Sequence, residues 1–269
     1  MNWKALGWTV GIAGAGMLAY GALFEAKNLV LERRTLRLPL WPERLRGFRI
    51  AVLADLHLRD RHSLELAQRA VAMALDESPD MVVLPGDLVG YWHRKTPWLI
   101  GEALEPLLLM QGSAVAVPGN HEYWQGDACL MEPILAELGV KLLRNESWVH
   151  EEITWAGVDS GVAGEANPFM AMESVEKKPV ITLWHEPDMV DYLPLGSALM
   201  ISGHSHGGQF RFPGGFIPMT TRYGKRYLEG FYPEARTPLY VSRGVGTTGP
   251  PSRFLCPPEV SLLTLLPEA

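Results

Sequence analysis

Five short polar clusters carry most of the chemistry that this sequence could perform. Five of the eight histidines lie in these clusters, together with two aspartates and an asparagine. In chain order the clusters are Asp55-Leu56-His57, Gly86-Asp87, Gly119-Asn120-His121-Glu122, His185-Glu186 and Gly203-His204-Ser205-His206-Gly207-Gly208-Gln209. Imidazole, carboxylate and amide groups without a thiolate suit Mn, Fe, Zn or a similar divalent ion. The clusters therefore predict a metal site.

The spacing within the clusters supports this prediction. Asp55 and His57 are two residues apart, so both side chains would point to the same side of an extended segment, and His204 and His206 repeat this geometry. Asp87 follows a glycine at a tight strand end, where a carboxylate can bridge two ions. Any one of these clusters could instead be a surface turn or a helix N-cap. Five of them in order, each after a predicted strand, are poorly explained by packing.

Apolar runs and helical periodicity predict the elements that must position these clusters. Strands are predicted at 48–54, 81–84, 114–117, 153–158, 180–184, 198–201, 238–241 and 260–265. Helices are predicted at 63–77, 97–110 and around 129–138. Strands that alternate with helices and then dominate the second half indicate an α/β fold with mixed sheets. In such folds, ligands bind beyond the carboxyl ends of the strands, where the clusters lie.

The first part of the chain predicts a membrane anchor. Residues 5–24 form a run of 20 residues without a charge, and such a helix would span about 30 Å, the thickness of a bilayer core. The small-residue cleavage site that a signal peptide requires is poor, so an uncleaved transmembrane helix is favoured. We therefore expect an anchor at 1–27, a basic juxtamembrane segment with the first strand at 28–47, and the catalytic domain at 48–269.

Charge and composition limit the classes of function. The chain has 269 residues, 47% of them hydrophobic, and a net charge of −6, which excludes disorder. Its sequence pI of about 5.8 argues against a nucleic-acid partner. Residues 1–50 hold eight Lys and Arg but three acidic residues, and four of these cations, at 27–37, follow the apolar run, against one lysine and the α-amine before it. The positive-inside rule then favours a catalytic domain in the cytoplasm at the cell membrane. Cys129 and Cys256 match no metal or redox spacing, and nothing indicates an oligomeric state.

The order of the clusters resembles the calcineurin-like metallophosphoesterases. Their pattern is Asp-x-His, Gly-Asp, Gly-Asn-His-Asp/Glu, a lone His and Gly-His-x-His, and the resemblance covers residues 48–266. The glycine-rich form of the last cluster, with residues 240–246 and 258–260, is similar to a membrane-anchored bacterial subgroup. That subgroup includes UDP-2,3-diacylglucosamine pyrophosphatases of lipid A biosynthesis. The resemblance implies an α/β/β/α sandwich of two mixed sheets flanked by helices, preceded by one N-terminal transmembrane helix.

The resemblance also implies two divalent metal ions, with Mn expected first and Fe, Zn or Mg as alternatives. Carried over by motif, the ligands of one ion are Asp55, His57, Asp87 and His206, and those of the other are Asp87, Asn120, His185 and His204. Asp87 would bridge the ions, and a hydroxide shared between them would attack phosphorus in line. Next to Asn120, His121 would act in catalysis as the leaving-group acid or as a stabiliser of charge.

The sequence departs from the family pattern at one position. Many relatives carry an acidic residue three positions after the bridging aspartate, where this chain has Gly90. Purple acid phosphatases carry a metal-binding tyrosine there, and Tyr91 comes one residue too late. The Asp-Arg-Gly of Ser/Thr phosphatases is also missing. We expect this change to leave the ligands intact but to alter the metal preference.

The substrate is less well defined by the sequence. Aromatic and apolar loops at 91–98, 123–124 and 168–172 could receive acyl chains, or they could simply pack on the domain. Basic residues that could meet further phosphates are Arg94, Lys95, Arg222, Lys225 and Arg226. We expect hydrolysis of a phosphodiester or pyrophosphate in a phosphorylated small molecule, either lipid-linked or nucleotide-linked. A general phosphoesterase and a non-catalytic scaffold are the alternatives, and the complete ligand set disfavours the scaffold.

Overall fold

The computed structural model describes residues 3–173, 175 and 179–268. Two six-stranded mixed sheets pack face to face, and helices lie on their outer sides. The helices are α1 Trp3–Leu23, α2 Arg61–Asp76, α3 Thr96–Leu104, α4 Met131–Glu137 and α5 Pro168–Glu173. The strands are β1 Val30–Leu38, β2 Phe48–Val52, β3 Met81–Pro85, β4 Ala114–Val117, β5 Lys141–Leu142, β6 Glu146–His150, β7 Ile153–Gly157, β8 Val180–Leu183, β9 Leu199–Ser202, β10 Gly230–Tyr232, β11 Leu239–Val241 and β12 Glu259–Pro267.

Parallel strands form the centre of each sheet. The first sheet has the order β1-β12-β2-β3-β4-β5 and the second has the order β10-β11-β9-β8-β7-β6. The strands from β2 to β5 are parallel to one another, as are β7, β8, β9 and β11. Antiparallel partners, β12, β6 and β10, extend these parallel blocks. The parallel blocks matter for function because their carboxyl ends carry the polar clusters.

The central strands are buried on both faces, which explains their continuous apolar sequences. In β2, Ile50 and Val52 belong to the core between the two sheets, whereas Ala51 packs in the core under α2, α3 and α4. A third core lies on the outer side of the second sheet and includes Met200 and Val241. The expected arrangement of two mixed sheets flanked by helices is therefore confirmed.

Helix α2 begins immediately after the first polar cluster. Asp60 is its N-cap and accepts a hydrogen bond from the Ser63 backbone N–H, while the Ser63 hydroxyl accepts one from the Asp60 N–H. This reciprocal capping box satisfies two backbone donors that the helix itself leaves free. The cap fixes the point at which the loop after β2 ends, so the loop that carries Asp55 and His57 is short.

The expected transmembrane helix is not found. A helix does form over the apolar run, as α1, but no helix within the described residues is both long and apolar enough to cross a membrane.

The end of α1 packs against the loop that precedes β12. The Ser252 hydroxyl donates to the Leu18 carbonyl at 3.1 Å, and the rings of Tyr20 and Phe254 meet edge to face at 6.3 Å. Just beyond the helix, the buried Glu25 carboxylate accepts from the Cys256 N–H at 2.5 Å. β1 then pairs in parallel with β12 along nine residues of each strand. Residues 18–38 are thus joined to the domain by side-chain and backbone contacts, and the predicted boundaries at 27 and 47 stay predictions.

Candidate metal centre

The polar clusters follow the carboxyl ends of β2, β3, β4, β8 and β9, where the two sheets meet. Five of the seven predicted metal ligands have a φ in the left-handed region, with 54° at Asp55, 48° at His57, 53° at Asp87, 69° at His204 and 51° at His206. This conformation costs an L-residue about 1–2 kcal/mol. The segments are therefore not extended as predicted, although their side chains do converge. Such strain at a group of polar residues is typical of a functional site.

Asp55, His57 and His206 form one buried cluster. Their candidate ligand atoms lie within 4.8 Å of one another. The Nε2 atoms of His57 and His206 are 3.0 Å apart, and the His206 Nε2 is 3.5 Å from the Asp55 Oδ1. A carboxylate and two imidazoles at these separations can converge on a single cation.

Asp87, His185 and His204 form a second buried cluster of the same kind. The His185 Nε2 lies 3.2 Å from the Asp87 Oδ2 and 3.1 Å from the His204 Nδ1. The same Asp87 oxygen is 3.6 Å from the His57 Nε2 of the first cluster. Asp87 therefore lies between the two clusters, which is the position that a bridging carboxylate requires.

Backbone carbonyls determine which nitrogens of the second cluster carry lone pairs. The His185 Nδ1 donates to the Pro85 carbonyl at 2.7 Å, and the His204 Nε2 donates to the Arg222 carbonyl at 2.7 Å. The two nitrogens that face each other, His185 Nε2 and His204 Nδ1, would then both be acceptors in neutral rings. Two lone pairs at 3.1 Å require a positive charge nearby, which a proton or a divalent ion can supply. Such carbonyl partners also orient imidazoles that bind metals.

The electrostatics of the first cluster also favour a cation. Complete burial, reinforced by the Asp87 charge, raises the pKa of Asp55 to about 7. Burial lowers the pKa values of His57 and His206 well below their ordinary range, so both imidazoles are neutral. A desolvated carboxylate beside two neutral imidazoles lacks compensating charge, and a bound divalent ion would provide it.

In the second cluster, a proton on His185 supplies part of the compensating positive charge. Burial alone lowers the pKa of His185, but the adjacent Asp87 carboxylate raises it well above its ordinary value. Burial alone raises the pKa of Asp87, but the charge and hydrogen bond of His185 lower it well below its ordinary range. Both clusters thus fit divalent ions, and together they indicate a dinuclear site, with the identity of the metal left open.

Asn120 and His121 lie beside the shared aspartate. The Oδ1 of Asn120 is buried and has no hydrogen-bond partner among the described residues, so it can serve as a metal ligand. The His121 backbone N–H donates to the Asp87 Oδ1 at 2.8 Å, and its Nδ1 donates to the Gly90 carbonyl at 2.6 Å. A His121 nitrogen also lies within 4.8 Å of ligand atoms of His57 and Asp87. The Gly90 carbonyl thus orients this ring at the position where relatives carry an acidic residue.

Glu122 has a structural role that the sequence analysis did not assign. Its buried carboxylate accepts from the backbone N–H groups of Gly119 at 2.6 Å, Asp87 at 3.0 Å and Val89 at 3.1 Å. Burial, reinforced by the Asp87 charge, raises the pKa of Glu122 to about 7. Glu122 therefore ties the loop after β3 to the loop after β4. Its place in the third cluster was the available signal, but the sequence does not reveal the amides that it meets.

Arg253 is a second residue that sequence reasoning missed. It is fully buried, and its guanidinium donates to the carbonyls of Arg243 at 2.9 Å, Gly244 at 3.0 Å and Gly246 at 2.6 Å. Its Nη2 is also 3.4 Å from the His206 Nδ1. The Gly246 N–H in turn donates to the Asp55 carbonyl at 2.6 Å. Arg253 thus supports the loop behind two residues of the first cluster, and nothing in its local sequence distinguishes it from a surface arginine.

The predicted phosphate-binding residues occupy different surroundings. Arg222 is exposed, and its backbone carbonyl contacts the second cluster through His204. Arg226 is engaged by the Asp191 carboxylate at 2.7 Å. Arg94 and Lys95 are exposed just before or at the start of α3, and Lys95 lines a surface cavity together with Arg59. Of these four predicted residues, Arg222 has a direct contact with a residue of the clusters, and the substrate role of all four stays a prediction.

Comparisons with known proteins agree with this geometry. The model of the calcineurin-like phosphoesterase family matches residues 48–208. An uncharacterized metallophosphoesterase of Bacillus subtilis, YkuE, is 28% identical over 271 residues, which cover 94% of this chain and 91% of the relative. The phosphodiesterase YaeI of Escherichia coli is 30% identical over 239 residues, covering 86% of each chain. The chain therefore belongs to the calcineurin-like phosphoesterase family and is a phosphoester hydrolase.

Proposed function

We propose that the protein hydrolyses phosphodiesters with the help of two divalent metal ions. The observation that carries this proposal is the position of Asp87 between two buried carboxylate–imidazole clusters. The ligand sets would be those predicted by motif, with the amide oxygen of Asn120 completing the second. When bound, two such ions neutralise charge on a phosphoryl group and lower the pKa of a water nucleophile.

The residues of the chain have separate tasks in this proposal. The strained loops, the Glu122 carboxylate and the Arg253 guanidinium hold the ligands in place before any substrate arrives. His121 lies beside the shared aspartate but is not needed as a ligand. Because its Nδ1–H is committed to the Gly90 carbonyl, its Nε2 is the nitrogen that can exchange a proton with the leaving-group oxygen.

A diester is preferred as the substrate class because the similar YaeI bears the name phosphodiesterase. A finer candidate is a lipid-linked pyrophosphate such as UDP-2,3-diacylglucosamine. The observation in its favour is a small, largely apolar pocket beside His206, lined by Phe210 and Met219 among others, which could receive part of an acyl chain. Both candidates use the same metal centre and differ in what binds around it.

The test is hydrolysis by the purified full-length protein with Mn²⁺. The substrates are bis-p-nitrophenyl phosphate and UDP-2,3-diacylglucosamine, and the variants are Asp87→Asn and His121→Ala. His62→Ala is the matched control because His62 is an exposed histidine outside the clusters. We expect metal-dependent turnover that both site variants lower by at least about 100-fold and the control does not change. No metal-dependent turnover on either substrate would refute the proposal, and turnover on the simple diester alone would remove the lipid-linked substrate.

The cellular location stays a prediction. The expectation that the domain lies at the cell membrane and faces the cytoplasm rests on the eight Lys and Arg of residues 1–50. Cell fractionation with immunodetection of the full-length chain tests it, followed by protease treatment of intact spheroplasts. Recovery of the whole protein in the supernatant of washed membranes, or its digestion in intact spheroplasts, would contradict the expectation.

A further inference from the structure

Trp124 lies at the edge of the metal centre in an unusual arrangement. Its indole lies against the His121 imidazole in a tilted arrangement, with ring centroids 3.6 Å apart and an angle of 34° between the planes. His121 is 6% exposed, whereas Trp124 is 48% exposed. One part of the indole therefore covers His121, and a large part of the remainder faces solvent.

His121 does not need this ring contact to hold its orientation. Its ring nitrogen and its backbone N–H are already bound by Gly90 and Asp87. Trp124 itself is fixed by its backbone, since its N–H donates to the His121 carbonyl at 3.0 Å and its carbonyl accepts from the Trp92 N–H at 2.9 Å. The neighbouring Trp92 is buried, whereas 48% of Trp124 is exposed. The exposed, fixed indole is therefore available to a ligand.

The position of Trp124 specifies which part of a substrate it would meet. His121 is the proposed proton donor to the leaving group, and a His121 nitrogen is within 4.8 Å of ligand atoms of His57 and Asp87. The leaving group must approach this imidazole, so a substituent on it passes along the indole. An exposed indole binds flat rings well because stacking is insensitive to the exact substituents of the ring.

We propose that Trp124 forms a leaving-group subsite that selects phosphodiesters with a flat aromatic ring on the leaving side. This inference rests on the proposed function, because it takes His121 as the residue that serves the leaving group. The shared chemistry of the substrates is a π surface, which an aryl ester and a nucleobase both provide. Specificity would then arise at the tryptophan, while the metal centre treats all diesters alike.

The experiment compares leaving groups in the full-length, Mn²⁺-loaded protein. Methyl p-nitrophenyl phosphate has an aromatic leaving group and bis(2,2,2-trifluoroethyl) phosphate does not. The variants are Trp124→Leu, which removes the flat ring, and Trp124→Phe, which restores one. Trp98→Leu is the matched control because Trp98 is 54% exposed on α3 and its indole N–H donates to Glu102 at 3.1 Å.

We expect Trp124→Leu to lower kcat/KM for the aryl diester about tenfold relative to the alkyl diester. Trp124→Phe should recover most of this loss, and Trp98→Leu should leave the ratio unchanged. An equal loss on both substrates would mean that Trp124 only supports His121, and no loss would mean that it contacts neither leaving group. Either result overturns the inference.

Binding separates this inference from the proposed function. Calorimetry with phenylphosphonate and methylphosphonate measures the aromatic preference without turnover, and we expect Trp124→Leu to abolish that preference. If the wild-type protein shows no metal-dependent hydrolysis, the proposed function fails. If it hydrolyses both diesters and Trp124→Leu changes neither the ratio nor the binding preference, the subsite alone fails.

Discussion

Replacing Asp55 with asparagine should stabilise the metal-free protein at neutral and alkaline pH. Burial, reinforced by Asp87, raises the pKa of Asp55 to about 7 from an ordinary value of 3.8. Below pH 3.8 the carboxyl is protonated in both folded and unfolded states. As the pH rises from 3.8 to about 7, the unfolded chain releases this proton but the folded chain retains it, so folding loses stability. Asparagine does not titrate and escapes this loss.

The size of the effect follows from the same shift. Each pH unit between these two pKa values lowers the free energy of unfolding of the wild type by about 1.4 kcal/mol, so the interval from pH 5 to 7 lowers it by about 3 kcal/mol. Above the pKa of Asp55 in the folded protein there is no further change. For a domain of this size, about 1 kcal/mol corresponds to a change of roughly 2–4 °C in Tm. The Asp55→Asn variant should therefore gain roughly 6–12 °C over the wild type between pH 5 and pH 8. Asparagine can still accept the hydrogen bond that the His204 N–H gives to Asp55.

The assay is thermal unfolding of both proteins from pH 5 to pH 8, first with EDTA and then with excess Mn²⁺. Using the difference between variant and wild type cancels the titration of the groups that do not interact with Asp55. With Mn²⁺ the order should reverse, because the wild type regains its anionic ligand and the variant does not. A difference that stays constant with pH in EDTA would refute the reasoning, as would a variant that Mn²⁺ stabilises as much as the wild type.

Two further predictions concern the residues that support the ligands. Glu122→Gln should lower the free energy of unfolding in urea by about 1–3 kcal/mol, because the new NH₂ group would face one of three backbone donors. Glu122→Ala should lower it further. Equal stability of the wild type and both variants would contradict this role. Arg253→Met should lower the number of tightly bound Mn²⁺ ions from two towards one, because Arg253 supports the loop behind Asp55 and His206. Mass spectrometry after gel filtration measures this number. Arg253→Lys should recover part of this binding, and two ions retained by the methionine variant would show that the arginine serves only the fold.

The strands that carry the site were predictable because of where they lie. β2, β3, β4, β8 and β9 are central parallel strands, so both of their faces are apolar and each run is easily recognised. The edge strands β6 and β10 are short and partly exposed, and they were not predicted. Their sequences lack the apolar runs of the centre because one side of each strand meets solvent or a loop. Prediction thus succeeded where burial was complete, and of the edge strands it included the first, β1, within 28–47.

The candidate site was predictable in its residues but less so in its geometry. Asp55 and His57 were identified by type and spacing, yet the extended backbone expected for them is left-handed in the structure. Glu122 bonds to backbone groups 33 and 35 residues away, and Arg253 bonds to carbonyls seven to ten residues away in an irregular loop, so no helical or strand periodicity indicates their partners.

The same features that make the centre suitable for metal should make the metal-free fold less stable. Left-handed backbone angles at five polar residues and a buried carboxyl with a raised pKa each cost free energy in the folded state. The two sheets and their three apolar cores offset this cost. A neutral substitution at Asp55 would therefore gain stability while losing a ligand, which is the trade-off expected when an active site is strained for function. Stability without metal and activity with metal should thus change in opposite directions at Asp55, whereas at Glu122 and Arg253 both should fall together.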